Sequence, residues 1–240
     1  MSQGGDKVIG ILGGMGPEAT VDLFLKIVKL TPASRDQDHL RVIVDSNPKI
    51  PDRTAYVLGR GEDPFPALLS TALNLKRAGA DFLIMPCNTA HYFIERLERE
   101  AGIPFISIVE AAIEELREKV LSPAKVGILA TDGTIKTGIY HKGLEKLGFT
   151  PVIPSEKGQR LVMRSIYEGV KAGRLEEAKS WIRVPVDELI SYGVKAIILG
   201  CTELPLLFKD NKIGEVYLVD ATLALAKKAV KVALGEEVAK

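Results

Sequence analysis

The chain has 240 residues, 46% of them hydrophobic, and a formal net charge of +1. That length holds one domain or two small ones, with apolar residues enough for a sizeable core. The near-zero charge comes without a basic run or an aromatic-interleaved basic patch, which argues against a nucleic-acid partner. No apolar run approaches the ~20 residues that span a bilayer. Residues 1–7 lack the apolar stretch of a secretory signal, and the expectation is a cytoplasmic protein. Its two cysteines then read as free, reduced thiols rather than as a structural disulfide.

Val8 to Leu12 reads as a buried strand ending in Gly13-Gly14-Met15-Gly16-Pro17, with Pro17 opening a helix to about Leu30. The glycines let backbone approach a ligand. They lack the full dinucleotide spacing, and no acidic residue is placed for a ribose, so a Rossmann cofactor is not expected. Arg41 to Asp45 is a second strand. It leads into a long polar, Pro-rich loop from Ser46 to about Pro64, of the kind that is often functional. A helix follows through Arg77.

Phe82 to Met85 is an apolar run without alternation, which suits a strand buried on both faces. Pro86 ends it, because it has no N–H to donate. Cys87 follows, and Asn88 and Thr89 are candidate caps for a helix over about 90–100. A short strand at 104–108 leads to a helix ending near Val120.

The pattern then restarts. Lys125 to Ala130 resembles Lys7 to Leu12 and is again followed by a glycine-containing turn, Thr131 to Thr134. A helix over 135–147, a strand over 150–153 and helices over 156–172 and 175–192 precede a second apolar run, Ala196 to Leu199. Gly200 ends that run, Cys201 follows, and Thr202 and Glu203 open the next segment. A strand at 215–219 and a helix at 220–234 echo 104–120. The expected fold is therefore α/β: two similar parallel-sheet domains related by a pseudo-twofold duplication, with the active site in the cleft between them. The expected division is residues 1–115 for the first domain, completed by 210–240, and 116–209 for the second.

Both cysteines stand just past strand carboxyl ends, where α/β sheets bind ligands. Two thiols facing each other across a cleft can act on one carbon from opposite faces, one as base and one as acid, and so invert it. The alternative for each alone is an inert core cysteine; the matched positions in a repeat favour chemistry. No set of Cys, His and acidic residues has metal-ligand spacing. His91 reads as a packing residue, and His39 and His141 have no evident partner.

The pieces IGILGGMGP (9–17), IPDRT (50–54), MPCNTAH (85–91), LATDGT (129–134), YEGVKAG (167–173) and LGCTEL (199–204) span almost the whole chain. Through them the sequence resembles the aspartate/glutamate racemase family, and its aspartate branch in particular. Classical glutamate racemases typically carry Cys-Thr-His at the second thiol; here Glu203 replaces that histidine. The resemblance implies a cofactor-independent isomerase without pyridoxal phosphate or metal, acting on L- and D-aspartate or on glutamate, and a homodimer. It implies Cys87 and Cys201 as the catalytic acid/base pair, Asn88, Thr89 and Ala90 as donors to a substrate carboxylate, and Arg53 and Lys171 as cationic contacts. Arg53 offers a bidentate fork and Lys171 a point charge. Thr131 and Thr202 are either substrate donors or helix caps. Asp52 either orients Arg53 or the first thiol, or caps its loop. Glu203 assists Cys201, receives the substrate ammonium, or serves a helix N-terminus. The alternatives in view are a maleate isomerase or hydantoin racemase, a thiol redox protein, and a non-catalytic amino-acid binder.

Overall fold

The computed structural model describes residues 6–238 and contains two sheets. The first is four parallel strands, β1 (Ile9–Gly13), β2 (Val42–Ser46), β3 (Phe82–Ile84) and β4 (Phe105–Ile106), in the order β2-β1-β3-β4. The second contains β5 (Lys125–Ala130), β6 (Thr150–Val152), β7 (Ala196–Gly200), β8 (Lys212–Ile213) and β9 (Val216–Asp220), in the order β6-β5-β7-β9-β8. Matching β1, β2, β3 and β4 to β5, β6, β7 and β9 gives the same strand order twice, which is the expected duplication. The antiparallel β8, on the edge beyond β9, is the departure from an all-parallel pair of sheets.

The central strands are buried along their length, β1, β3 and β7 at every residue. Their apolar runs therefore have helices on both sides, as parallel sheets require. Helices α1 (Pro17–Leu30), α5 (Ile108–Lys119) and α10 (Ala221–Ala233) lie between the sheets, and one apolar cluster runs from Ile9 and Ile11 through Leu116 and Leu225 to Val126 and Ile198. Separate clusters cover the outer faces of the two sheets. No helix among the described residues is long and apolar enough to cross a membrane.

In the described part of the C-terminal segment, β8 and β9 extend the second sheet, and α10 packs on α1 and α5 and touches strands of both sheets. The boundary expected at 115 falls inside α5, which runs on to Lys119 because Leu116 is still buried. The loop from Ser46 to Pro64 contains a short helix, α2 (Arg53–Val57), capped by the Asp52 side chain accepting from the Ala55 N–H at 2.7 Å. Next come α3 (Phe65–Arg77) and α4 (Ile94–Ala101). The helix expected from 90 begins instead as a 3₁₀ turn over Thr89–Phe93. The helix expected over 135–147 is two, α6 (Asp132–Thr137) and α7 (Ile139–Lys146), because Gly138 takes a left-handed conformation at φ 65°. The helix expected over 156–172 is regular only as α8 (Glu156–Arg164). It widens into a π turn over Ser165–Gly169 and closes as a 3₁₀ turn over Val170–Ala172, before α9 (Leu175–Ser191).

Candidate active site

Each sheet has a switch point, where the chain passes from one side of its first strand to the other: between β1 and β3, and between β5 and β7. Ligands bind beyond the carboxyl ends of strands at such points. Here both switch points open on one narrow cleft lined by residues of both domains. Cys87 enters it two residues past Met85, whose carbonyl accepts from the Cys87 N–H at 2.8 Å. Cys201 enters from the second domain directly after Gly200, which ends β7. Both thiols are free and buried.

On the first-domain wall, the Arg53 guanidinium is buried and anchored. Its Nη1 donates to the carbonyls of Ile50 and Pro51 at 3.2 and 3.0 Å, and Nη2 to that of Met15 at 3.4 Å. Burial works against its charge, but the adjacent Cys87 sulfur and Asp52 carboxylate favour it, and its pKa stands above the usual arginine value. Gly14 makes this wall possible: at φ 94° it lies against the backbone of Asn47, where a Cβ would meet main-chain atoms at 2.3 Å.

On the opposite wall, the Cys201 thiol donates to Glu203 Oε2 at 2.9 Å. Burial, with the Glu203 carboxylate beside it, pushes this thiol's pKa well above the ordinary value, against the opposing pull of Lys171. The Lys171 ammonium stands 3.8 Å from Glu203 Oε1 and 4.5 Å from the centre of the Tyr167 ring. Tyr167 spans the cleft, its hydroxyl donating to Asp52 Oδ2 at 3.0 Å. Both Tyr167 and Lys171 come from the irregular stretch after α8, and such π-helical turns are frequent at functional sites.

The floor is a network of threonine hydroxyls from both domains. Thr131 bonds Thr54 at 3.1 Å and Thr89 at 2.9 Å, and Thr89 bonds Thr134 at 2.8 Å. Thr202 donates to the Pro86 carbonyl at 3.2 Å, a bond from the second cysteine's segment to the first's. Three side-chain atoms of this site are buried without a hydrogen-bond partner: the donors Arg53 Nε and Asn88 Nδ2, and the acceptor Glu203 Oε1, whose nearest cation is Lys171 at 3.8 Å. Buried polar atoms are normally paired, so two vacant donors and one vacant acceptor suit a ligand carrying both an anionic and a cationic group.

The structure brings together Cys87, Cys201, Arg53, Asn88, Thr89, Lys171, Thr131, Thr202, Asp52 and Glu203 around this cleft. Ala90 is not among the lining residues; it is fully buried in the outer apolar cluster of the first domain. Asn88 makes no side-chain cap, because its Oδ1 accepts from the Tyr140 hydroxyl, and the Thr89 hydroxyl is taken by the threonine network. Asp52 both caps α2 and holds Tyr167; Thr131 both caps α6 and joins the floor. Arg53 is less free than a solvent-facing fork, since carbonyls occupy part of its donor set. His91 is buried and neutral: Nδ1 lies 2.8 Å from the Cys87 carbonyl, and Nε2 accepts from the Ile108 N–H at 3.0 Å.

Three lining residues escaped the sequence reading: Met15, Thr54 and Tyr167. Each lies inside a motif quoted above, beside or four residues before a residue singled out, and that adjacency was the available signal.

A family model described as Asp/Glu/Hydantoin racemase matches residues 12–229. The broad specificity amino-acid racemase RacX of Bacillus subtilis is 31% identical over 236 residues, covering 95% of this chain and 99% of that protein. Among solved structures, the aspartate racemase of Picrophilus torridus superposes with a TM-score of 0.82 at 32% identity, over 95% of this chain and 94% of that one. An aspartate racemase homologue from Pyrococcus horikoshii does so with a TM-score of 0.75 at 29% identity, over 95% and 99%. With the duplicated fold, the paired cysteine positions and a family match over most of its length, this chain belongs to the Asp/Glu/hydantoin racemase family.

Proposed function

We propose that the protein is an amino-acid racemase that interconverts L- and D-aspartate, and accepts glutamate, by two-base proton transfer at the α-carbon. The observation that carries this reading is that Cys87 and Cys201 line one cleft from equivalent strand ends of a duplicated fold. The names of the relatives support it: a broad specificity amino-acid racemase and an aspartate racemase.

In the proposed step one sulfur, as thiolate, takes the α-proton from one face, and the C–H electron pair remains on carbon. The opposite thiol gives its proton to the other face, and the two sulfurs have then exchanged protonation states. Cys201, which donates to Glu203, starts as the acid. The vacant donors Arg53 Nε and Asn88 Nδ2 receive the α-carboxylate, where negative charge grows as the proton leaves. Glu203 Oε1, which accepts no hydrogen bond within the chain, receives the ammonium. Lys171, a quarter exposed and 3.8 Å from Glu203 Oε1, is the cation that meets a side-chain carboxylate. A maleate isomerase or hydantoin racemase would have no ammonium for Glu203 to accept, which is why the amino-acid reading is preferred.

Incubation with L-aspartate, and separately L-glutamate, in heavy water without added cofactor tests this. The α-proton signal should disappear by NMR as the D-enantiomer appears on chiral chromatography. Cys87→Ser and Cys201→Ser should each slow racemisation by on the order of 10²–10⁴-fold. No exchange with either substrate under reducing conditions would exclude the dicarboxylic amino acids and turn attention to the isomerase relatives.

A further inference from the structure

His91 lies behind the first thiol, and the proton transfer above gives it no part. It is buried, and both ring nitrogens are engaged. Its tautomer follows from its partners. The Ile108 N–H can only donate, so Nε2, 3.0 Å away, is the unprotonated nitrogen. The proton is therefore on Nδ1, which donates to the Cys87 carbonyl at 2.8 Å. Burial lowers the imidazole's pKa to about 4, which keeps this one arrangement at neutral pH. A residue that only fills space needs neither bond.

The two bonds join the cysteine segment to a helix. Ile108 is the first residue of the 12-residue α5, whose Ser107 cap serves the Glu110 N–H at 3.3 Å. The Ile108 N–H is one of the donors that the helix itself cannot satisfy, and it carries part of the positive end of the helix dipole. The imidazole passes that polarity to the Cys87–Asn88 peptide, because each bond in such a chain strengthens the next. This peptide is trans, so its N–H points opposite to its carbonyl. With the carbonyl held on His91, the Asn88 N–H is turned the other way. It finds no acceptor among the described residues. Cys87 and Asn88 both line the cleft, and Asn88, 2% exposed, has a second unpaired donor in Nδ2.

We propose that His91 is a positioning residue for the first thiol and for the substrate carboxylate: its imidazole couples the start of α5 to the Cys87–Asn88 peptide and aims a polarised Asn88 N–H into the cleft. That donor meets negative charge on the Cys87 sulfur, and on the carboxylate as the α-proton leaves. The part concerning the carboxylate rests on the racemase reading; the part concerning the thiol does not.

Two half-mimics test the coupling in the full chain. His91→Asn sets an amide N–H near the place of Nδ1 and offers nothing to Ile108. His91→Gln sets an amide oxygen near the place of Nε2 and offers nothing to Cys87. In a Cys201→Ser chain, which keeps one thiol, mass spectrometry follows alkylation by iodoacetamide against pH. Both substitutions should slow alkylation at pH 7 on the order of threefold to tenfold, and the rates should converge on the parent's at about pH 11, where thiols are ionised. With Cys201 restored, both should lower kcat for racemisation on the order of tenfold and change KM little. Identical alkylation profiles for the parent and both variants, with unchanged far-UV circular dichroism, would overturn the proposal. So would a parent-like profile for His91→Asn alone, because the carbonyl would then need no link to α5. Slowing that persists at pH 11 would also overturn it, by showing lost access to the sulfur rather than lost polarity. A wild type without turnover sinks the racemase reading and leaves the alkylation comparison intact.

Discussion

Tyr140 stands between the two strand ends that carry the thiols. Its ring packs over Gly200, where a Cβ would lie 3.1 Å from Cε2, and its hydroxyl donates to Asn88 Oδ1 across the domain boundary. Burial, with the nearby Cys201 adding to it, pushes this phenol's pKa up, so the hydroxyl keeps its proton and holds the amide with Nδ2 free. Tyr140→Phe leaves Asn88 Oδ1 buried and unpaired, which should cost about 1–3 kcal/mol of stability and raise KM more than it lowers kcat. Urea titration and steady-state kinetics measure both; unchanged stability and KM would show that the amide is held by something else. His91 gives a pH prediction. Burial lowers its pKa from 6.5 to about 4, so the unfolded chain takes up this proton first as pH falls. The corresponding stability is complete above pH 6.5 and is lost progressively toward pH 4, by ~3 kcal/mol. Urea midpoints at pH 7, 5.5 and 4.5 should fall more steeply for the wild type than for His91→Asn, and parallel slopes would refute the assignment. At this scale the sequence exposed the cysteines, because each follows an apolar run ended by a residue that breaks a strand. It could not expose Thr54, whose partner Thr131 lies 77 positions away, since nothing in local spacing reports a bond between domains.

Among the elements, α6 is the one whose position most constrains the cleft. Its first turn presses against α2, and a Cβ on Gly133 would stand 2.9 Å from Thr54 Cα, Thr54 Oγ1 and Thr89 Cγ2. One of those atoms is backbone, so the contact is not relieved by a side-chain rotation. Gly133→Ala should therefore lower stability by about 1–3 kcal/mol through overpacking and slow turnover by spreading the two walls. A urea midpoint equal to the wild type would show that the domains tolerate the separation. The strands and long helices were readable from apolar runs, Pro17 and the glycine stops. The short pieces were not. Helix α2 lies within a Pro-rich stretch that reads as loop and is held by one Asp52 cap. The π turn that carries Tyr167 leaves no pattern in the apolar spacing, because it widens a helix without ending it.

At the scale of the molecule, the repeated strand order was legible because each half opens on the same kind of glycine-bearing apolar strand and ends its third strand at a cysteine. The placement of the last segment was not: its strand joins the second sheet while its helix packs between the sheets and touches strands of both, and their apolar pattern suits either neighbour. The duplication is also imperfect where it matters. Cys87 is flanked by a buried guanidinium and Cys201 by a carboxylate and an ammonium. Mirror-image substrates have equal free energy in water, so an enzyme that interconverts them works at an equilibrium constant of one. The Haldane relation then makes kcat/KM identical in the two directions, however unlike the two walls are. The asymmetry of the walls can appear only in how each direction divides that shared ratio. The hand of amino acid with the lower KM must be the one the cleft turns over more slowly at saturation, by the same factor.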